Sequence, residues 1–482
     1  MATRREIANR WIVAAAAAAA ALLLALQLLV APVVGLADNG DYLRVMGPAG
    51  FDHTTDVPAE RYLSFLRTTY RFLPVGWTGN GYLTSESGLA LVARYASPAL
   101  WRGGLFDLRA LSAIHAALLL LALVGILRAA RGLPWPAQAV AAVLLVFFFT
   151  DVGYVAPLNS FYSQVASLLA LLLLAAVALA AARRGRLDGA LLAAYFLLAA
   201  AFIGSKPQEA AQGLVLALLC WRLAGGASRR AWRQPAAWLA AALVAFSAWY
   251  GRSTPDTLRA AALYQVVFYE ILPHSPDPAG DAAALGLDPA WLRYSGTDAF
   301  QPGTPVLDDA FRTRFLRDSG YGRVALLYAR HPRRLAERLH RIAPKVWSLR
   351  PSYGNLEKSD AHPALTLTDR YSVWSRWRLR LFRPAAWGWL GALLLGNAAW
   401  AAMTWRRATP CGRLARETLL AAVAMTATAY GVCVLTNAPP DFSRVFYVAE
   451  ALCDLILVAD ATWLVAALTA RGARKPVSSD AA

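Results

Sequence analysis

Residues 11–46 read WIVAAAAAAAALLLALQLLVAPVVGLADNGDYLRVM, an apolar run that meets its first charges at Asp38, Asp41 and Arg44. A hydrocarbon layer roughly 30 Å thick requires about 20 such residues of a helix rising about 1.5 Å per residue. The run is long enough, and the charges mark where the chain leaves the layer.

Working outward, the pattern repeats. Hydrophobic residues make up 58% of the 482, and the mean hydropathy of +0.40 excludes an ordinary soluble protein. Ten apolar runs stand out, at about 11–36, 110–127, 134–151, 163–182, 188–205, 208–223, 234–250, 385–404, 415–436 and 445–469. The expected fold class is therefore an all-α polytopic membrane protein with about ten transmembrane helices and two large extracytoplasmic segments.

The net charge of +18 does not point to nucleic acid, because the basic residues punctuate the runs at alternate ends instead of forming one tail. Arg4, Arg5 and Arg10 precede the first run; Arg128 and Arg131 follow the second; Arg183, Arg184 and Arg186 follow the fourth. Arg222 to Arg233, Arg406 to Arg416, and Arg471 to Lys475 complete the series. Placing all six clusters in the cytoplasm satisfies the positive-inside rule with both termini inside. A cleaved signal peptide ending near Gly35-Leu36-Ala37 is the alternative for the first run, which is longer than the usual 7 to 15 apolar residues of a signal. Cys220, Cys411, Cys433 and Cys453 all fall in membrane or cytoplasmic stretches, so no disulfide and no thiolate zinc site is expected outside.

The map divides the chain into a cytoplasmic N-terminus with the first helix (1–36), a first outer loop (37–109), helices two to seven (110–250), a second outer segment (251–384), helices eight to ten (385–470) and a basic tail (471–482). In the first loop, Tyr62, Leu63, Leu66 and Tyr70 have the spacing of an amphipathic helix lying on the membrane. The second segment is too rich in Pro and Asp for a span and reads as loop-rich. Within it, Leu335, Leu339, Ile342 and Val346 share one face of a basic helix opened by Pro332 and closed near Pro344, suited to anionic headgroups or to a solvated face.

Asp38-Asn39-Gly40-Asp41 carries two readings. Structurally, Asp38 caps a short helix and Asp41 sits in its first turn. Functionally, a carboxylate at the membrane surface, beside a cavity walled by helices, can take a proton from a hydroxyl nucleophile. A first helix, a long outer loop opening on an acidic pair, and many further helices resemble the type C glycosyltransferases, integral membrane enzymes that take a sugar from a polyprenyl phosphate. DNGDYLRVM (39–46 with Asp38), SKPQ (205–208) and FYEILPHSPDPAGDAAALGLDP (268–289) are most similar to bacterial hexose transferases of surface-layer and cell-wall glycans. The resemblance implies a plasma-membrane enzyme that inverts the anomeric carbon, with a polyprenyl-phosphate-linked sugar donor and a glycan or lipid-linked acceptor. It also implies a catalytic loop carboxylate, for which Asp41 is the first choice and Asp38 the second. The pair is DxxD where the family has DxD, and a divalent metal is possible but not required; no cofactor is otherwise indicated.

The leaving group, a lipid monophosphate, needs cations, and Arg44, Lys206 and Arg444 are the candidates at the outer ends of helices. Glu86, Asn159, Tyr162, Gln164, Gln208 and Asp441 are candidates for hydrogen-bonding sugar or acceptor hydroxyls, and Ser352 to Lys358 for an acceptor groove. Each of these also has a plain reading as an anchor, a cap or a solvated loop residue. His53 and His115 have no ligand partners at metal spacing. A different class remains open: Glu450, Asp454 and Asp460 inside the last run would serve a proton relay in a transporter or flippase. A glycan polymerase or ligase differs only in substrate.

Overall fold

The computed structural model describes residues 4–77, 82–96, 104–225, 230–438 and 442–472. Helices dominate, and five of them are long and apolar enough to cross a membrane: Glu6–Leu28, Arg109–Gly132, Gln164–Arg184, Pro410–Thr436 and Tyr447–Arg471. Trp135–Phe149 with Val152–Leu158 makes a sixth span if this pair, bent by 60°, is one crossing. The expectation of ten spans is thus corrected to five or six among the described residues. Two of the lost runs form helices too short for a layer roughly 30 Å thick at about 1.5 Å per residue, Gly189–Ile203 with 15 residues and Gly213–Gly225 with 13; two more, Arg233–Arg252 and Ala386–Trp405, reach 20 residues but are not apolar enough.

Gln164–Arg184 is the centre of the bundle, packed against Arg109–Ala129, Gly189–Ile203 and Pro410–Thr436. The basic clusters meet at one end of the bundle: Asn9 donates to the Arg131 carbonyl and Arg183 to the Arg128 carbonyl, both at 3.0 Å, while Arg222 pairs with Glu417. Exposed Trp11, Trp135, Trp221 and Trp238 sit on these same segments, where indole rings favour the level of the headgroups.

The other end carries the two long segments, and three expectations change there. The first loop is not all-α, because β1 (Phe51–His53), β2 (Thr69–Phe72) and β3 (Leu105–Asp107) form an antiparallel sheet in that order. The expected amphipathic helix over 60–70 is only Pro58–Arg61. Beyond it the chain bonds non-locally: Leu66 N donates to Leu356 O at 3.0 Å and Gly354 N to Leu63 O at 2.8 Å. Tyr70 then packs with Tyr42 and Phe161 as a strand residue, so tertiary pairing overrides the helical spacing.

The second segment is helical where a loop was expected. Its Asp and Pro residues start short helices instead of breaking them: Asp277 caps Pro278–Leu285, Asp288 caps Pro289–Tyr294 and Asp308 caps Asp309–Asp318, each through a side-chain oxygen on an otherwise orphaned N–H. Tyr264, Phe268, Trp291, Phe311 and Phe315 fill the core between them. The basic helix Pro332–Ile342 buries its apolar face against Tyr430, Cys433 and Phe446. Its Arg334 and Arg341 pair with Asp281 and Glu270.

Helix Val373–Phe382, expected in the outer segment, inserts beside the last helix. Arg378 there is fully buried, bonded to Glu450 and 3.3 Å from Asp454. Tyr154 and Trp374 donate to Asp454 at 2.6 and 3.0 Å, and Tyr430 and the Trp347 N–H donate to Glu450 at 2.6 and 2.7 Å. Removing one partner of such a cluster strands a charge, at about 3–5 kcal/mol, whereas apolar replacement of the whole set is near neutral. Arg378→Met is therefore expected to lower the melting temperature in detergent sharply, and Arg378→Met with Glu450→Gln and Asp454→Asn to restore most of it; equal stability of the single variant and the parent would refute the clamp.

Candidate functional site

The first helix stops at Leu28, and residues 33–37 run on as an extended strand-like segment. Gly35 N and Ala37 N each donate at 2.9 Å, to Asn355 O and Gly354 O, and the Asn355 amide returns a bond to Gly35 O at 2.9 Å. A Cβ on Gly354 would overlap the Ser64 carbonyl, so only glycine lets the 352–358 stretch thread between residues 35–37 and 63–66. This stretch is therefore wedged against the acidic loop as its support.

Asp38 comes next and is locked. One carboxylate oxygen accepts from Gly40 N at 2.7 Å and Tyr42 N at 3.1 Å, and the other meets His53 Nε2 at 3.0 Å. Both side chains are 2% exposed. Gly40 takes φ +99°, a left-handed conformation that favours glycine, and Asn39 Oδ1 accepts from Asp41 N at 3.2 Å. These two side-chain-capped turns aim Asp41 away from the loop that Asp38 holds shut.

Asp41 sits in a basic pocket. Its Oδ2 bonds Arg444, and its Oδ1 is 2.7 Å from Arg44 one helical turn on, at the start of Leu43–Ala49. The Arg444 guanidinium lies over the Tyr162 ring, 5.2 Å from its centroid, a cation–π seat. Tyr162 is itself fixed, accepting from Asn39 N at 2.9 Å and donating to Ala37 O at 2.8 Å. Lys206, 8% exposed, is close enough to act electrostatically on Asp41 and Arg444, with Glu209 beside it. Burial alone would raise the Asp41 carboxyl, but Arg44, Arg444 and Lys206 outweigh it and hold the pKa at about 2. Burial and Arg444 pull the Lys206 ammonium below its ordinary range, against Glu209 and Asp41. Burial pushes Glu209 up to about 7, with Lys206 opposing.

Arg44, Arg444 and Lys206 thus converge around Asp41. The hydroxyl-binding candidates largely do not join them. Glu86 is fully buried, 2.9 Å from His115 Nε2 and accepting from Ala166 N, so neither the solvated-loop reading nor an open sugar contact describes it. Asn159 is fully buried, stapling Leu28 O and Val34 O and accepting from Ser112. Gln164 is 2% exposed at a helix start. Tyr162 reaches the site through Arg444, and Gln208 binds Asn437 Oδ1 at 3.2 Å. Asp441 lies outside the described residues. Sequence reasoning passed over Glu209 and Tyr82, the latter close enough to Arg44 and Asp41 to feel both charges; Glu209 directly follows SKPQ, which was the available signal. Among the described residues no group of three or more His, Cys, Asp or Glu is gathered to hold a metal.

The family model described as YfdI N-terminal transmembrane domain matches residues 3–478, nearly the whole chain. The chain belongs to this family. It is a family of transmembrane domains associated with membrane glycosyltransferase-like proteins, and this member is a polytopic membrane protein. No curated protein and no solved structure matches it.

Two measurements probe the site. Asp38→Ala removes the acceptor of two backbone N–H groups and the partner of buried His53, so it is expected to cost about 1–3 kcal/mol. Asp41→Asn leaves Arg444 and Arg44 without their anion, and with the carboxyl held at about 2 it is expected to cost about 2 kcal/mol at neutral pH, a cost that fades as pH falls through about 4 toward 2; thermal unfolding of both variants against pH checks this. Glu209, with its pKa raised to about 7, is neutral below that pH and anionic above it. A phosphate monoester itself gains charge between about pH 6 and 8, so the readout is a difference: over that range binding to the parent should gain less than binding to Glu209→Gln, by about 1 kcal/mol or roughly fivefold.

Proposed function

We propose that this protein is a membrane transferase that moves a hexose from a polyprenyl-phosphate donor to a lipid-linked glycan or other cell-wall acceptor, at the membrane face where the long segments lie. One observation carries the reading: three cations, Arg44, Arg444 and Lys206, surround a single ion-paired carboxylate, Asp41, in one partly buried pocket. With Glu209 neutral and Lys206 charged, the pocket has an excess of two positive charges. A sugar phosphodiester brings one negative charge and leaves as a dianion, so charge balance improves as the bond breaks. Stabilisation that grows toward the transition state is what accelerates a reaction.

In this reading the acceptor hydroxyl attacks the anomeric carbon from the side opposite the phosphate and inverts it. Asp41 receives the hydroxyl proton, and Arg444 and Lys206 take the charge left on the phosphate. No step needs a metal. A bacterial plasma membrane, with the arginine-rich end of the bundle in the cytoplasm, is the setting that fits the charge pattern. A polymerase or ligase acting on lipid-linked sugars would use the same pocket.

The transporter reading loses its main support in the geometry of the last helix. Glu450 and Asp454 are not spaced along a water path but share Arg378 inside a closed set of donors, both fully buried. Asp460 stands apart, bonded to Asn397 at 3.0 Å.

The test is reconstitution with a radiolabelled polyprenyl-phospho-hexose and extracted membrane glycolipids. Label is expected in a new glycolipid or glycan, and Asp41→Asn should reduce its formation by about 100-fold or more while the variant still inserts and stays folded at the assay temperature. Label crossing the bilayer without transfer, or full activity in Asp41→Asn, would overturn the assignment.

A further inference from the structure

As it stands, the pocket contains a contradiction. Both oxygens of Asp41 are engaged, one by Arg444 and the other by Arg44, and the charges around it hold its pKa at about 2. A general base works best with a pKa near the working pH, so a carboxylate in this state is a poor acceptor for a hydroxyl proton. The groups that face it are Arg44, Arg444 and Lys206, together with the phenols of Tyr82 and Tyr162, which feel its charge. Glu209 acts on this field only through Lys206, so among the described residues the direct hold on the carboxylate is released by moving an arginine.

We propose that the donor's phosphate is also the key that frees the base: its oxygens draw the Arg444 and Arg44 guanidiniums off Asp41, so the carboxylate becomes competent only when donor is bound. This rests on the reading of the pocket as the donor phosphate site. The parts suit an exchange. Arg444 is seated by the Tyr162 ring face, a stacked contact that holds the guanidinium plane while an in-plane N–H passes from one anion to another. Arg44 is 30% exposed and has room to swing. A phosphodiester presents two oxygens to the same fork that a carboxylate occupies, so the two anions compete for one set of donors.

The cycle then balances. With the arginines on phosphate, the acceptor oxygen forms its bond to the anomeric carbon as its proton passes to Asp41. The bond from that carbon to the phosphate oxygen breaks, and its electron pair stays on the lipid phosphate, now a dianion facing Arg444 and Lys206. When the lipid phosphate leaves, the guanidiniums return to Asp41 and expel the proton to water. Without donor the base stays locked, so acceptor or water entering an empty site is not activated.

The experiment uses the full-length protein in detergent, a polyprenyl monophosphate as probe, and a water-soluble carbodiimide with an amine to tag protonatable carboxyls, read by mass spectrometry. Asp369, 76% exposed, is the internal standard. Tagging of Asp41 relative to Asp369 at pH 6 is expected to rise about fivefold or more on adding the lipid, and to be high already in Arg444→Gln without lipid. Binding of the radiolabelled lipid is measured in parallel. If the lipid binds the parent at least about tenfold tighter than Arg444→Gln, yet Asp41 tagging does not rise in either arm, the unlocking is wrong and the phosphate site stands. If binding is absent or indifferent to Arg444, the phosphate site itself falls and the unlocking with it.

Discussion

A guanidinium buried between two carboxylates is the interaction on which the rest of this structure depends. Arg378 lies inside the bundle with Glu450 and Asp454, and each of the three is wholly removed from solvent. Unpaired charge at such depth is untenable, so the helix Val373–Phe382 must remain docked on the last helix. That docking fixes where the last helix begins, and Arg444 sits in the short helix Phe442–Val445 just before it. The start of Val373–Phe382 is in turn held by Asp151, which accepts from Ser375 N at 3.0 Å while capping its own turn at Gly153. A device far from the pocket therefore decides where one of its cations stands.

The other half of the pocket is positioned from the opposite direction. Gly354 and Asn355 bind the chain at residues 35–37, Asp38 closes the turn on Gly40, Tyr42 and His53, and Tyr162 stands beneath. The two acidic residues of DNGD thus divide their work by burial. Asp38 commits both oxygens to the fold, while the carboxylate of Asp41 is held by the side chains of Arg44 and Arg444 at a partly open surface. Rigid support behind a strained electrostatic arrangement is what lets a site keep more positive charge than its own carboxylate neutralises.

Much of this was legible in the sequence, for identifiable reasons. The apolar runs and alternating arginines reveal a polytopic chain because the hydrocarbon layer imposes length and charge rules on any sequence. Crowded charge after the first run marked the pocket, and three basic residues at helix ends marked its cations. What could not be read was anything set by distant pairing. Leu66 and Tyr70 have helical spacing, yet Leu66 N bonds Leu356 O, 290 residues on, and Tyr70 pairs with His53 and Phe106 in the sheet. The Pro and Asp residues of 277–308 look like loop punctuation, but as N-caps they begin helices. Asn159 and Glu86 have the right chemistry for sugar and the wrong neighbours, since burial commits both to the protein's own groups. Span counting failed where the helix a run forms is too short or not apolar enough to cross.

The ion pair between Asp41 and Arg444 joins residues separated by 403 positions. A ribosome delivers the first of them early and the second almost last. During synthesis Asp41 therefore waits with Arg44 and then Lys206, and Tyr162 has no guanidinium above its ring until the final helices are inserted. The charge cluster is ordered in time as well as in place: a chain stopped short of residue 444 displays the acidic loop with Arg44 and Lys206 but lacks the guanidinium that closes it over Tyr162.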